Sequence, residues 1–96
     1  MIQSFADAAT EDLFNGRDTK AARAIDKAVW RVAWRQLDMI NAAATLGDLR
    51  VPPGNRLEAL KGDQHGRHSI RVNERFRVTF RFDGQDAHGV RCEDYH

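Results

Sequence analysis

Cysteine, proline and tyrosine are nearly absent: the 96-residue chain holds one Cys, two Pro and one Tyr. A single cysteine, Cys92, excludes an internal disulfide, and no Cys or His pair has zinc-finger spacing. Its neighbours make it a small buried residue rather than a nucleophile. No apolar run approaches the roughly 20 residues a membrane span needs. The N-terminus lacks the basic and then hydrophobic pattern of a secretory signal, so the expected setting is the cytoplasm, with no membrane partner. Internal repeats, low-complexity tracts and linkers are missing too, which leaves one small domain with a single modest core. With 42% apolar and 30% charged residues the composition is that of a soluble globular protein, not a disordered one.

The net charge of +1 says little, but its distribution says more. Residues 50–96 carry nine Lys/Arg, seven Asp/Glu and all four histidines, and most of those bases fall in strand-like stretches. Side-chain alternation can gather them onto one surface, and a locally basic face on a nearly neutral protein still attracts a polyanion.

Periodicity predicts helices followed by strands, an α+β fold. The opening MIQSF reads as a short first strand. Asp7 can cap a helix running to about Asn15, which Gly16 stops. Ile25, Val29, Val32, Leu37 and Ile40 recur near helical spacing and predict one long amphipathic helix over 21–44, its stripe widened by Trp30 and Trp34. Arg23, Lys27, Arg31 and Arg35 repeat every four residues on it, either as a solvated face or as a contact line for phosphates or an acidic partner. GDLRVPPGNR breaks both periods. RLEALKGD (56–63) then predicts a strand entering a turn. HSIRVN (68–73) predicts another, with Ile70 and Val72 inward and Ser69 and Arg71 outward. FRVTFRF (76–82) is the cleanest, with Phe76, Val78, Phe80 and Phe82 on one face and Arg77, Thr79 and Arg81 on the other. A last strand starts near Asp86, with Val90 and Cys92 inward. A three-residue loop, Asp83-Gly84-Gln85, would set Val78 opposite Val90, Arg77 opposite Arg91 and Arg75 opposite Glu93. On that register the chain end is a paired strand, held at least through Tyr95.

The polar face then collects Arg71, Arg77, Arg81 and Arg91, with Tyr95 at its end and Glu58 and Lys61 on the segment before it. Antiparallel sheets often keep one face wet, and that explanation competes with a site. Arginine, however, is the fork-shaped donor suited to phosphate. Beside a phenol and an imidazole it suits metal-free cleavage of a phosphodiester. The imidazole or a carboxylate would take the 2′-hydroxyl proton, and the cations would hold the pentavalent phosphate.

The run VPPGNRLEALKGDQHGRHSIRVNERFRVTFRF, followed by a Gly-containing hairpin and the ending EDYH, resembles the HigB branch of the RelE/ParE toxins. MIQSF, LFNG and DLRVPPGNRLEALKGD extend the likeness over nearly the whole chain, and the RLEALKGD and DYH blocks are specific. The resemblance implies a RelE-like α+β fold, two N-terminal helices packed on a small, mostly antiparallel twisted sheet. It implies a type II toxin that cuts mRNA on the translating ribosome and needs no cofactor. The implied partner is a helix-turn-helix, HigA-like antitoxin, through which alone the toxin would meet operator DNA.

Lys61, Arg77, Asp94, Tyr95 and His96 match positions the family uses for phosphate contact and cleavage. Glu58 stands where some members carry histidine, so either Glu58 or His96 would be the general base. Phe76 replaces a frequent tryptophan, His68 is read as structural, and Gln64 and His65 have no assigned role. Arg71, Arg81 and Arg91 on the sheet, with Arg23, Lys27 and Arg31 on the helix, are the expected RNA contacts. The alternatives are a non-catalytic ParE-like inhibitor of DNA gyrase, or a weakened copy acting mainly as an antitoxin-bound corepressor. A pure binder has no need of Lys61, Arg77, Tyr95 and His96 together.

Overall fold

Asp7 starts the first helix because its carboxylate accepts the Thr10 N–H at 2.9 Å, satisfying a donor that the helix start leaves open. In the computed structural model, which describes residues 1–95, helix α1 spans Ala8–Phe14. Gly16, at φ 73°, ends it in the left-handed conformation glycine tolerates. The expected long helix is shorter: α2 is Trp30–Ala42. Residues 22–24 and 27–29 form two separate 3₁₀ turns, parted where Ile25 is extended at φ −91°, ψ 125°. Asp26 causes the break, since its side chain caps the Ala28 N–H at 3.0 Å and so rewards a local turn over a continuous helix. The buried face of α2 is Ala33, Gln36, Leu37 and Ile40, while Val32 is half-buried and Trp34 is 46% exposed.

Four antiparallel strands follow in the order β1-β2-β3-β4: Glu58–Ala59, His68–Arg71, Phe76–Asp83 and Asp86–Asp94. The predicted 56–63 strand shrinks to two residues before a 3₁₀ turn at Gly62–Gln64. MIQSF makes two isolated parallel bridges to β4, Ile2 with Ala87 and Phe5 with Val90, so it lies along that edge without becoming a strand.

The β3–β4 hairpin differs from the three-residue loop. Asp83 pairs with Asp86 across Gly84-Gln85, and the register slips by one residue between Thr79 and Arg81. The slip is a β-bulge at Gly89, whose φ of 59° suits glycine. Ala87 and Val90 are three residues apart, and alternation alone would send one of them outward. With the extra residue both face inward, each fully buried. Beyond the bulge Val78 pairs with Cys92, Arg77 with Glu93 and Phe76 with Asp94.

Ile70, Phe76, Val78, Phe80, Val90 and Cys92 meet Leu13, Ala33, Leu37 and Ile40 in one core. The Thr10 hydroxyl accepts the Cys92 N–H at 2.9 Å and ties α1 to β4. Burial pushes the Cys92 thiol up to about 12, as expected of a packing residue. Among the described residues no helix is long and apolar enough to cross a membrane.

Candidate active site

The sheet face opposite the core is not evenly wet. Ser69 and Thr79, both expected to point to solvent, are fully covered, because long arginine side chains lie over them. Arg77, the second residue of β3, has partners on three sides. Its Nη1 donates to Ser69 Oγ at 3.2 Å and lies 3.6 Å from Glu58 Oε1, and its guanidinium sits 5.1 Å over the Tyr95 ring. Three strands build that triangle. β3 supplies the arginine, β1 the carboxylate through the Glu58–Ser69 pairing, and the end of β4 the phenol.

The strand end is secured as well. The Tyr95 N–H donates to the Arg75 carbonyl at 2.6 Å, one residue past the Phe76–Asp94 pair. Asp94 accepts from Arg75 at 2.8 Å, and Arg75 also lies 5.2 Å over the Phe76 ring. The carboxylate expected in catalysis therefore also fixes the β2–β3 turn to the strand end. Tyr95 is 38% exposed, so its ring packs on Arg77 while its edge reaches solvent. His96, the expected imidazole, lies outside the described residues.

Lys61 is exposed at the start of the 3₁₀ turn after β1. His68 falls on the core side, its ring stacked on Phe80 at 6.4 Å between centroids, which fits a structural role. Arg71 donates from Nε to the Asn73 carbonyl and lines a cleft with Val32, Arg35 and Gln36 of α2. Arg91 pairs with Asp7 at 3.2 Å, and Arg81 is exposed. The helical row does not survive the break at Asp26: Arg23 and Lys27 both close onto Asp18, at 3.0 and 2.8 Å. The hydrogen bonds from Lys27 and Arg23 hold the Asp18 carboxyl below its usual range. Arg31 instead borders an apolar notch with Leu13, Trp30 and Trp34. The structure thus brings together Glu58, Arg77 and Tyr95, and holds Arg23 and Lys27 away in a network of their own. Ser69 joins the first three as the acceptor of the Arg77 guanidinium, a role its place in the sequence does not signal. Alternation placed it on the correct face but could not show that Arg77 would settle on it.

Glu58, Arg77 and Tyr95 thus converge on one face of a four-stranded antiparallel sheet whose other face packs against two helices. The same fold is found in the YoeB-YefM complex from Staphylococcus aureus, with a TM-score of 0.61 at 16% identity over 100% of this chain and 98% of that one. It also recurs in the YoeB/ParE toxin from Agrobacterium tumefaciens, with a TM-score of 0.51 at 19% identity over 97% and 98%. The chain belongs to the HigB-like toxins, described as RelE-like toxins of type II toxin-antitoxin system HigB, whose family model matches residues 3–96. Toxin HigB-1 of Vibrio cholerae is 38% identical over 82 residues, covering 85% of this chain and 84% of that protein. Endoribonuclease HigB of Proteus vulgaris is 38% identical over 96 residues, all of both chains.

Proposed function

We propose that this toxin is an endoribonuclease that cuts mRNA on the translating ribosome. The observation that carries the reading is Arg77, packed between Glu58, Ser69 and Tyr95 on the polar face of the sheet. In the reaction the substrate 2′-oxygen attacks the neighbouring phosphorus and the bond from phosphorus to the 5′-oxygen breaks. The products are a 2′,3′-cyclic phosphate and a 5′-hydroxyl. Arg77 donates to the non-bridging oxygens as their charge grows, a geometry a guanidinium provides better than an ammonium. Lys61 adds charge from the turn beside β1. Glu58 or His96 takes the 2′-hydroxyl proton, and a protonated group returns one to the leaving 5′-oxygen. The Tyr95 ring orients Arg77 and offers a surface on which a base can stack. Similarity to Endoribonuclease HigB supports the same assignment.

The partner that silences the toxin is a helix-turn-helix, HigA-like antitoxin, and operator DNA is reached only through it. Family membership supports an antitoxin partner, as does the toxin-antitoxin complex among the structures of like fold. The setting is the cytoplasm, where mRNA and ribosomes are.

The test is to incubate purified protein with mRNA-programmed ribosomes and, in parallel, with DNA gyrase. The expected result is cut mRNA bearing a 5′-hydroxyl, with unchanged supercoiling. Intact mRNA with inhibited supercoiling would reassign the chain to the ParE-like alternative.

A further inference from the structure

Arg67 stands just before β2 and reaches across the polar sheet face to β4. Its Nη2 donates to Thr79 Oγ1 at 3.1 Å and to the Gly89 carbonyl at 2.7 Å, so one end of the guanidinium is fixed. The Thr79 hydroxyl in turn donates to Glu93 Oε2 at 2.8 Å. Gly89 makes room for this arrangement. A Cβ there would stand 3.1 Å from Arg67 Nη1, in a backbone conformation L-residues rarely adopt. The bulge that corrects the core register therefore also seats an arginine on the opposite face.

The charges around it are unbalanced. Arg67 is half-buried, yet no carboxylate lies within ion-pair distance of it among the described residues. Burial pushes its pKa down, while Glu93 is near enough to favour its charge and Arg81 and Arg91 are near enough to oppose it. A guanidinium carries five N–H donors. Both Nη2 hydrogens are engaged by Thr79 and Gly89, and the donors on Nε and Nη1 meet no acceptor among the described residues. Desolvating a cation without a counter-ion is costly unless an anion completes the site. Arg81, exposed on the same face, adds a second positive charge for such an anion.

We propose that Arg67 and Arg81 form a second phosphate-binding subsite, which holds an mRNA backbone phosphate flanking the one that is cleaved at Arg77. This inference rests on the endoribonuclease reading and places the strand along β3, from Arg77 toward Arg81. Arg67 binds here without taking part in bond breaking, so it governs affinity and the position of the cut.

The test measures the affinity of labelled toxin for ribosomes programmed with a message made uncleavable by a 2′-O-methyl group at the cut site. Neutral methylphosphonate linkages are placed singly at the positions flanking it. Wild-type toxin is expected to lose about tenfold in affinity at one flanking linkage, the worth of one charge-assisted hydrogen bond. R67Q is expected to bind the all-phosphate message about tenfold more weakly and to lose nothing further at that linkage, whereas R67K keeps part of the effect. Equal losses for wild type and R67Q at every linkage overturn the subsite, as does a wild type indifferent to all flanking linkages, a result that does not depend on a variant folding. The expected binding pattern together with an unmethylated message left uncut supports the subsite and overturns the endoribonuclease reading alone.

Discussion

Arg77 is held from three sides before any substrate arrives: by the Ser69 hydroxyl, the Glu58 carboxylate and the Tyr95 ring. Such preorganisation is what makes one donor valuable to a developing oxyanion, because nothing needs to reorganise at the moment of reaction. Glu58 is the more exposed partner, with 54% of its side chain open to solvent against 21% for Arg77, so it can turn to a 2′-hydroxyl while Arg77 stays fixed. Glu58→Gln is expected to lower the cleavage rate by roughly 10²–10⁴ if Glu58 is the base, the range for loss of one general base. His96→Gln should show that loss instead if the imidazole does the work, and the pH–rate profiles of the two variants on programmed ribosomes separate the cases. Tyr95→Phe keeps the ring over Arg77 and should cost less than Tyr95→Ala in the same assay. Cys92 gives a control on the fold: buried, with its thiol pushed up to about 12, it should resist iodoacetamide in the native protein and react after urea unfolding.

At the scale of the element, β3 was legible because its period of two is unbroken and its inward residues are large. The capped α1 was legible from Asp7 and Gly16. The break before α2 was not, since Ile25 and Val29 fit a continuous helical stripe and are buried in any case. What decides there is the Asp26 side chain, which competes locally for a backbone donor that a helix would otherwise use. The hairpin shows the same limit. Counting loop residues by parity assumes equal strands, and the extra residue at Gly89 satisfies the same burial pattern by another route. Parity alone sets Arg77 opposite Arg91, whereas it faces Glu93, and periodicity alone aligns Arg23 and Lys27 with Arg31, whereas they turn to Asp18. Alternation and the predicted strands put Glu58 and Tyr95 on the polar side of the sheet, where both lie beside Arg77. Gly89→Ala tests the bulge. The left-handed conformation alone costs an L-residue about 1–2 kcal/mol, which in a domain of this size is a fall in melting temperature of roughly 4–16 °C. An unchanged melting temperature would show that the bulge is not held as described.

For the whole molecule, stability and the proposed RNA affinity draw on opposite faces of one sheet. Phe80 is fully buried at the centre of the core face, so Phe80→Ala should cost about 3–5 kcal/mol in urea unfolding, a large share of what a small domain has. Asp12, Asp18 and Asp48 all have pKa values lowered from 3.8, through bonds led by Thr19, Lys27 and the Thr45 backbone respectively. A carboxyl depressed in the folded state stabilises it above the unfolded value and loses that contribution as pH falls through the folded one. Melting temperature should therefore drop as the solution is acidified below about pH 4, and less so in Asp48→Asn.

The most direct test of the central claim, that the Arg77 site cuts RNA, is the single-turnover cleavage rate of mRNA on programmed ribosomes for wild type and Arg77→Ala, with melting curves on the same preparations. Loss of one preorganised donor to the phosphorane predicts a rate lower by about 10²–10³ with a melting temperature close to wild type. A folded Arg77→Ala protein that cuts at the wild-type rate would contradict the account.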